Sequence, residues 1–86
     1  MTNADKILYL VRLEAGNPDI TTDSVLGQID TIDSLGWMLI FTAIDADIID
    51  GNKNKTDAFM DKVNKYNFNH IDVQKLINDV ETVICS

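Results

Sequence analysis

The sequence predicts an all-α fold, a four-helix bundle with one long loop between its first and second helices. Three observations lead there. Apolar residues recur at helical spacing in four segments, no segment alternates with period two, and about fifteen Thr-, Asp- and Gly-rich residues separate the first two segments. The absence of alternation predicts no strand.

The first helix spans Ala4 to Ala15, where Ala4, Ile7, Leu8, Val11 and Ala15 fall on one face. Gly16-Asn17-Pro18 stops it, because glycine permits the turn and proline cannot continue a helix. The long loop that follows carries Ile20, Val25, Leu26, Ile29 and Ile32, read as anchors pinning it across the bundle. Helix two begins at Asp33 or Ser34 and runs to about Ile49, with Ile40, Phe41, Ile44 and Ile48 facing the core and Trp37 at the bundle's edge. Asp50-Gly51-Asn52 ends it. Thr56 or Asp57 caps a short third helix burying Phe59, Val63 and Tyr66. Asp72 opens the last helix, whose Val73, Leu76, Ile77, Val80, Val83 and Ile84 follow helical spacing closely.

With 86 residues and 45% hydrophobic content, the chain reads as a single domain over 1–86 with one modest core. A domain this size buries only about 60–65% of its unfolded surface, leaving little material for a deep enclosed active site. The net charge is −7, and all of it lies in residues 1–50, where Lys6 and Arg12 face nine acids. Residues 51–86 balance five lysines against five acids. Such a field repels nucleic acid and anionic lipid and attracts partners with basic patches. The lone Cys85 forms no internal disulfide, and Ile7–Val11 is too short and too closely flanked by charge for a signal peptide. The apolar run Leu35–Ile44 is about half a membrane span. These features point to a cytoplasmic monomer with no membrane or nucleic-acid role.

Two other signals fail on inspection. A calcium loop starting at Asp45 puts Asp50 where glycine is required, and one starting at Asp50 puts Lys55 there. His70 and Cys85, one of each and far apart in sequence, make neither a nucleophilic pair nor a metal cluster.

The remaining signal is Asp33-Ser34-Leu35, placed before the chain's most apolar segment. One reading is an ordinary helix cap, although a capping box would need Glu or Gln three residues on, where Gly36 and Trp37 stand. The other is an attachment point. A hydroxyl at a helix N-terminus is exposed, and the free amides and dipole there favour an attached phosphodiester.

A short acidic helical chain with a long loop leading into Asp33-Ser34-Leu35 at the start of helix two resembles the acyl carrier protein family over nearly its whole length. The resemblance implies a bundle of acyl-carrier type that is not itself an enzyme and has no catalytic or metal-binding residues. It implies 4′-phosphopantetheine attached to Ser34, with Asp33 and Leu35 flanking it, and acyl intermediates held as thioesters on that arm. Implied partners are a phosphopantetheinyl transferase, which supplies Mg²⁺ and basic residues, and acyl-loading or acyl-processing enzymes: a ligase, acyltransferase or ketosynthase with basic and apolar docking patches. The face opposite the core stripe, with Leu35, Met38, Leu39 and Thr42, and the acids Asp45 and Asp47 at its end, is the implied docking surface. Many fatty-acid carriers place an acid where Leu39 stands. The glycine often found two residues before the motif is Thr31 here, Gly51–Asn69 is longer than usual, and the Gly-Gly-His-Ser of peptidyl carriers is absent. These departures point to a discrete carrier in polyketide or other specialised-metabolite assembly. The alternative from another class is an acidic helical interaction module without a prosthetic group, binding through the Leu35–Leu39 surface.

Overall fold

The computed structural model describes residues 2–27 and 32–85. Among them the chain forms α1 (Asn3–Ala15), β1 (Val25–Leu26), α2 (Ser34–Ile44), α3 (Lys53–Val63), β2 (Ile71–Asp72) and α4 (Val73–Cys85). A π-helical turn, Asp45–Ile49, extends α2. The molecule is predominantly helical, as the periodicity predicts, with a minimal two-stranded sheet that it does not predict.

Local chemistry sets the ends of α1. Thr2 and Asp5 form a capping box: the Asp5 amide donates to the Thr2 hydroxyl at 3.1 Å, and the Thr2 amide donates to the Asp5 carboxylate at 3.3 Å. Gly16 closes the helix at φ 64°, a left-handed conformation in which a Cβ would be strained. Ile7 and Val11 are fully buried, while Ala4, Leu8 and Ala15 pack more loosely against the core.

The long loop is fastened rather than free over its described part. The Arg12 side chain donates from Nε to the Ile20 carbonyl at 2.7 Å. Ile20, Leu26 and Ile32 are buried, whereas Val25 is 46% exposed and serves the strand instead of the core. Ile29 and Thr31 lie outside the described residues. Val25 pairs with Asp72 and Leu26 with Ile71 in antiparallel register, and the Val73 amide donates to the Ser24 carbonyl at 3.1 Å. Two residues per strand are too few for an alternating pattern to register in sequence. Beside this bridge, Gly27 lies so close to the backbone of Asn69 that a Cβ there would meet its carbonyl oxygen at 2.4 Å. The loop therefore runs directly against the segment that leads into α4.

Three further expectations are corrected. Trp37 is not at the bundle's edge; it is fully buried, stacked on Phe41 with ring centroids 5.8 Å apart. Phe41 also meets Phe59, Tyr66 and Phe68 at 5.9, 6.0 and 6.3 Å, so an aromatic cluster fills the middle of the bundle. The core stripe of helix two ends on Ile49, with Ile48 only partly buried, because the π turn adds a residue and shifts the phase of the face. That turn closes with the Asp50 amide donating to the Asp45 carbonyl at 2.8 Å and Asp50 itself at φ 61°. Finally, α3 starts earlier than Thr56: Asn52 is its cap, accepting from the Lys55 amide at 3.2 Å.

At the other end of the bundle, Asp72 accepts from the Gln74 amide at 2.9 Å and so opens α4 while still paired in β2. Val73, Leu76, Ile77, Val80 and Val83 are buried as their spacing requires, with Ile84 partly buried beside them. Burying a side chain of this kind contributes roughly 1.5–3 kcal/mol each before conformational entropy is set against it.

Candidate functional site: the N-terminus of helix two

The first turn of α2 separates two roles that the sequence leaves merged. Asp33 is the cap: its backbone is extended at φ −90°, and its carboxylate accepts from the Gly36 amide at 2.8 Å. Its carbonyl accepts from the Trp37 amide at 3.0 Å, the first bond of the helical ladder. Ser34 is therefore the first helical residue and is released from capping. Its side chain is exposed, and its hydroxyl makes no hydrogen bond among the described residues.

The amides of Ser34 and Leu35 precede the ladder and have no partner among the described residues, since Asp33 takes only that of Gly36. Two free N–H groups and the positive end of α2 thus lie next to the hydroxyl. An open cleft of about 460 Å³ adjoins it, lined by Ile32, Asp33, Ser34, Phe68 and Asn69. Ile32 and Phe68 give this cleft apolar walls, and Phe68 is braced from behind by the Phe41 ring. Gly36 allows the close approach of α1 to this turn; a Cβ there would meet the Glu14 carboxylate at 3.1 Å and Ile32 at 3.2 Å.

A phosphodiester on Ser34 fits these surroundings in two respects, the free amides and the room in the cleft. It is opposed in one, the Asp33 carboxylate beside it. No lysine, arginine or histidine side chain bonds to Ser34 among the described residues. No group of three or more His, Cys, Asp or Glu residues that could hold a metal occurs among the described residues.

The outer face of α2 follows from the same geometry. Leu35, Met38 and Leu39 are 68%, 40% and 54% exposed, forming an apolar stripe on the side away from Ile40, Phe41 and Ile44. Thr42 continues it, with its hydroxyl turned back to the Met38 carbonyl at 2.8 Å. Asp47 stands exposed at the stripe's end. Asp45 does not stand free beside it: half-buried, it accepts from the Thr56 hydroxyl at 2.5 Å and ties the end of α2 to α3. The contribution of Phe68 and Asn69 to the cleft was not anticipated from sequence. No motif marks them, and they reach Ser34 only through the tertiary fold.

Comparison with protein-family models, curated proteins and solved structures finds no match to this chain. No helix among the described residues is long and apolar enough to cross a membrane.

Proposed function

We propose that this chain is a carrier of acyl-carrier type, bearing 4′-phosphopantetheine on Ser34 and holding acyl intermediates as thioesters. One observation carries the reading: Asp33 performs the capping, so the Ser34 hydroxyl stands exposed and, among the described residues, unbonded at the helix tip beside an open cleft. The sequence resemblance of the Asp33-Ser34-Leu35 turn, its helix order and its acidity supports the same reading.

In this reading the attached arm supplies the thiol, and the protein supplies position. The Ser34 and Leu35 amides donate to the phosphodiester, and Ile32 and Phe68 offer apolar contact to the proximal arm. A phosphopantetheinyl transferase brings Mg²⁺ and cationic groups, offsetting Asp33 and activating the hydroxyl. The exposed Leu35–Leu39 stripe with Asp47 docks the transferase and the acyl-loading or acyl-processing enzymes, in a polyketide or other specialised-metabolite pathway. An arm on a small scaffold raises the local concentration of its cargo at successive partner sites.

Intact mass spectrometry after incubation with coenzyme A, Mg²⁺ and a permissive transferase tests the proposal. The unmodified chain gains one phosphopantetheinyl group and Ser34→Ala gains none; a Ser34→Ala chain that still gains it moves the site elsewhere. The exposed apolar stripe also supports the alternative, a partner-binding module without a prosthetic group. That reading stands if no transferase modifies the chain while Leu39→Glu abolishes capture of its partner.

A further inference from the structure

The basic residues of this acidic chain are not spread evenly. Five of its seven lie between Lys53 and Lys75, and three of those converge on one groove where α3 gives way to α4. Lys62 and Lys65 line it from the end of α3, Lys75 from the first turn of α4, and Tyr66 with Asp79 completes it. Lys53 and Lys55 sit elsewhere; Lys55 is committed to the Ile84 carbonyl at the end of α4.

Within this groove only Lys75 is neutralised. Its ammonium pairs with Asp79 at 3.2 Å and lies 5.6 Å from the centre of the Tyr66 ring. The Tyr66 hydroxyl takes up the same Asp79 carboxylate at 2.5 Å, so the groove's one acid is satisfied twice over from inside. Lys62 and Lys65 make no ion pair or side-chain hydrogen bond among the described residues, on a molecule with twice as many acids as bases. Two unpaired cations beside a half-buried aromatic ring are a surface arranged for negative charge from outside.

We propose that this groove docks a short acidic segment of a partner protein. The charge distribution selects that class over longer polyanions. Fields are screened within about 8–10 Å at physiological salt, and the molecule measures 33 × 27 × 18 Å. A few carboxylates seated over Lys62 and Lys65 therefore escape most of the repulsion from the α1–α2 half. A nucleic acid or an anionic bilayer extends past the groove and meets that acidic half directly.

The position of the groove adds to the argument. Lys65 and Tyr66 of the groove begin the connection between α3 and α4, and Phe68 and Asn69 of the same connection line the Ser34 cleft. A partner seated on the lysines therefore touches the same connecting segment that supplies two of the cleft's lining residues.

The test uses the full unmodified chain, so its outcome is independent of the Ser34 proposal. The isotopically labelled protein is titrated with a synthetic oligoglutamate peptide, and amide shifts are followed by NMR. Shift changes confined to residues 62–75 are expected, suppressed at about 0.5 M salt. The double variant Lys62→Gln/Lys65→Gln, checked for an unchanged fold by circular dichroism, is expected to bind about fivefold more weakly. No shifts, shifts on the α1–α2 half, or undiminished binding by the double variant overturns the proposal. Tighter binding to a single-stranded oligonucleotide or to phosphatidylserine vesicles than to the peptide also overturns it.

Discussion

Asp33 and Ser34 are both good capping residues, and the structure gives the cap to Asp33 alone; replacing each with alanine separates their roles. Asp33→Ala removes the acceptor of the Gly36 amide, a bond of 2.8 Å at the mouth of an 11-residue helix. Loss of such a cap costs about 1 kcal/mol, within a range of roughly 0.5–2. For 86 residues the unfolding entropy is about 180 cal/mol/K, at ~2.1 cal/mol/K per residue. A loss of about 1 kcal/mol then lowers Tm by about 5–6 °C. Ser34→Ala removes an exposed hydroxyl with no described partner and stays within about 0.5 kcal/mol, a shift of at most about 3 °C. Asp33→Asn retains an acceptor and falls close to the parent, which distinguishes capping from charge. Thermal unfolding followed by circular dichroism, with all three variants in one buffer, measures these shifts. A Ser34→Ala loss as large as that of Asp33→Ala would refute the division of labour, and with it the claim that Ser34 is free for other chemistry.

Gly27→Ala places a Cβ 2.4 Å from the Asn69 carbonyl oxygen, so backbone must move; a loss of about 1–3 kcal/mol in urea unfolding is expected, with NMR shift changes reaching Phe68 and Asn69 at the Ser34 cleft. Trp37 is fully buried with its indole N–H unpaired among the described residues. Removing that orphan donor offsets part of the lost volume, so Trp37→Phe costs less than about 1.5 kcal/mol in the same assay, whereas Trp37→Ala costs about 3–5. Burial first, then the hydrogen bond to Asp79 and its negative charge, push the Tyr66 hydroxyl well above the ordinary tyrosine range. A pKa raised by folding gives stability that is complete below the unfolded value of about 10 and is lost as pH climbs above it. Stability measured from pH 8 to 12 accordingly falls above about pH 10, and less steeply in Tyr66→Phe; an unchanged slope in that variant would assign the loss to other groups.

The four helices were legible because their signals are local. Ile7 and Val11, or Val73, Leu76, Ile77, Val80 and Val83, repeat at the period of a helix wherever that helix is later placed. The stops at Gly16 and Gly51 were legible for the same reason, since each sits at positive φ. At the site, the exposed face of Leu35, Met38 and Leu39 could be named from spacing, whereas Ser34 was singled out by the Asp33-Ser34-Leu35 motif and its resemblance.

Other features depend on which surfaces meet. Trp37 adjoins an apolar stripe on either side of α2 in sequence, and only its stacking on Phe41 makes it the largest buried side chain. Asp45 reads as a surface acid until the π turn and α3 bring Thr56 to its carboxylate. The β1–β2 bridge joins residues almost fifty positions apart, and Phe68 and Asn69 arrive at Ser34 by the same route. By itself the sequence determined the helices and most of their inward faces, because periodicity and capping act within a few residues. The tertiary structure alone decided the cleft and the lysine groove, because each depends on side chains or chain directions that only packing brings together.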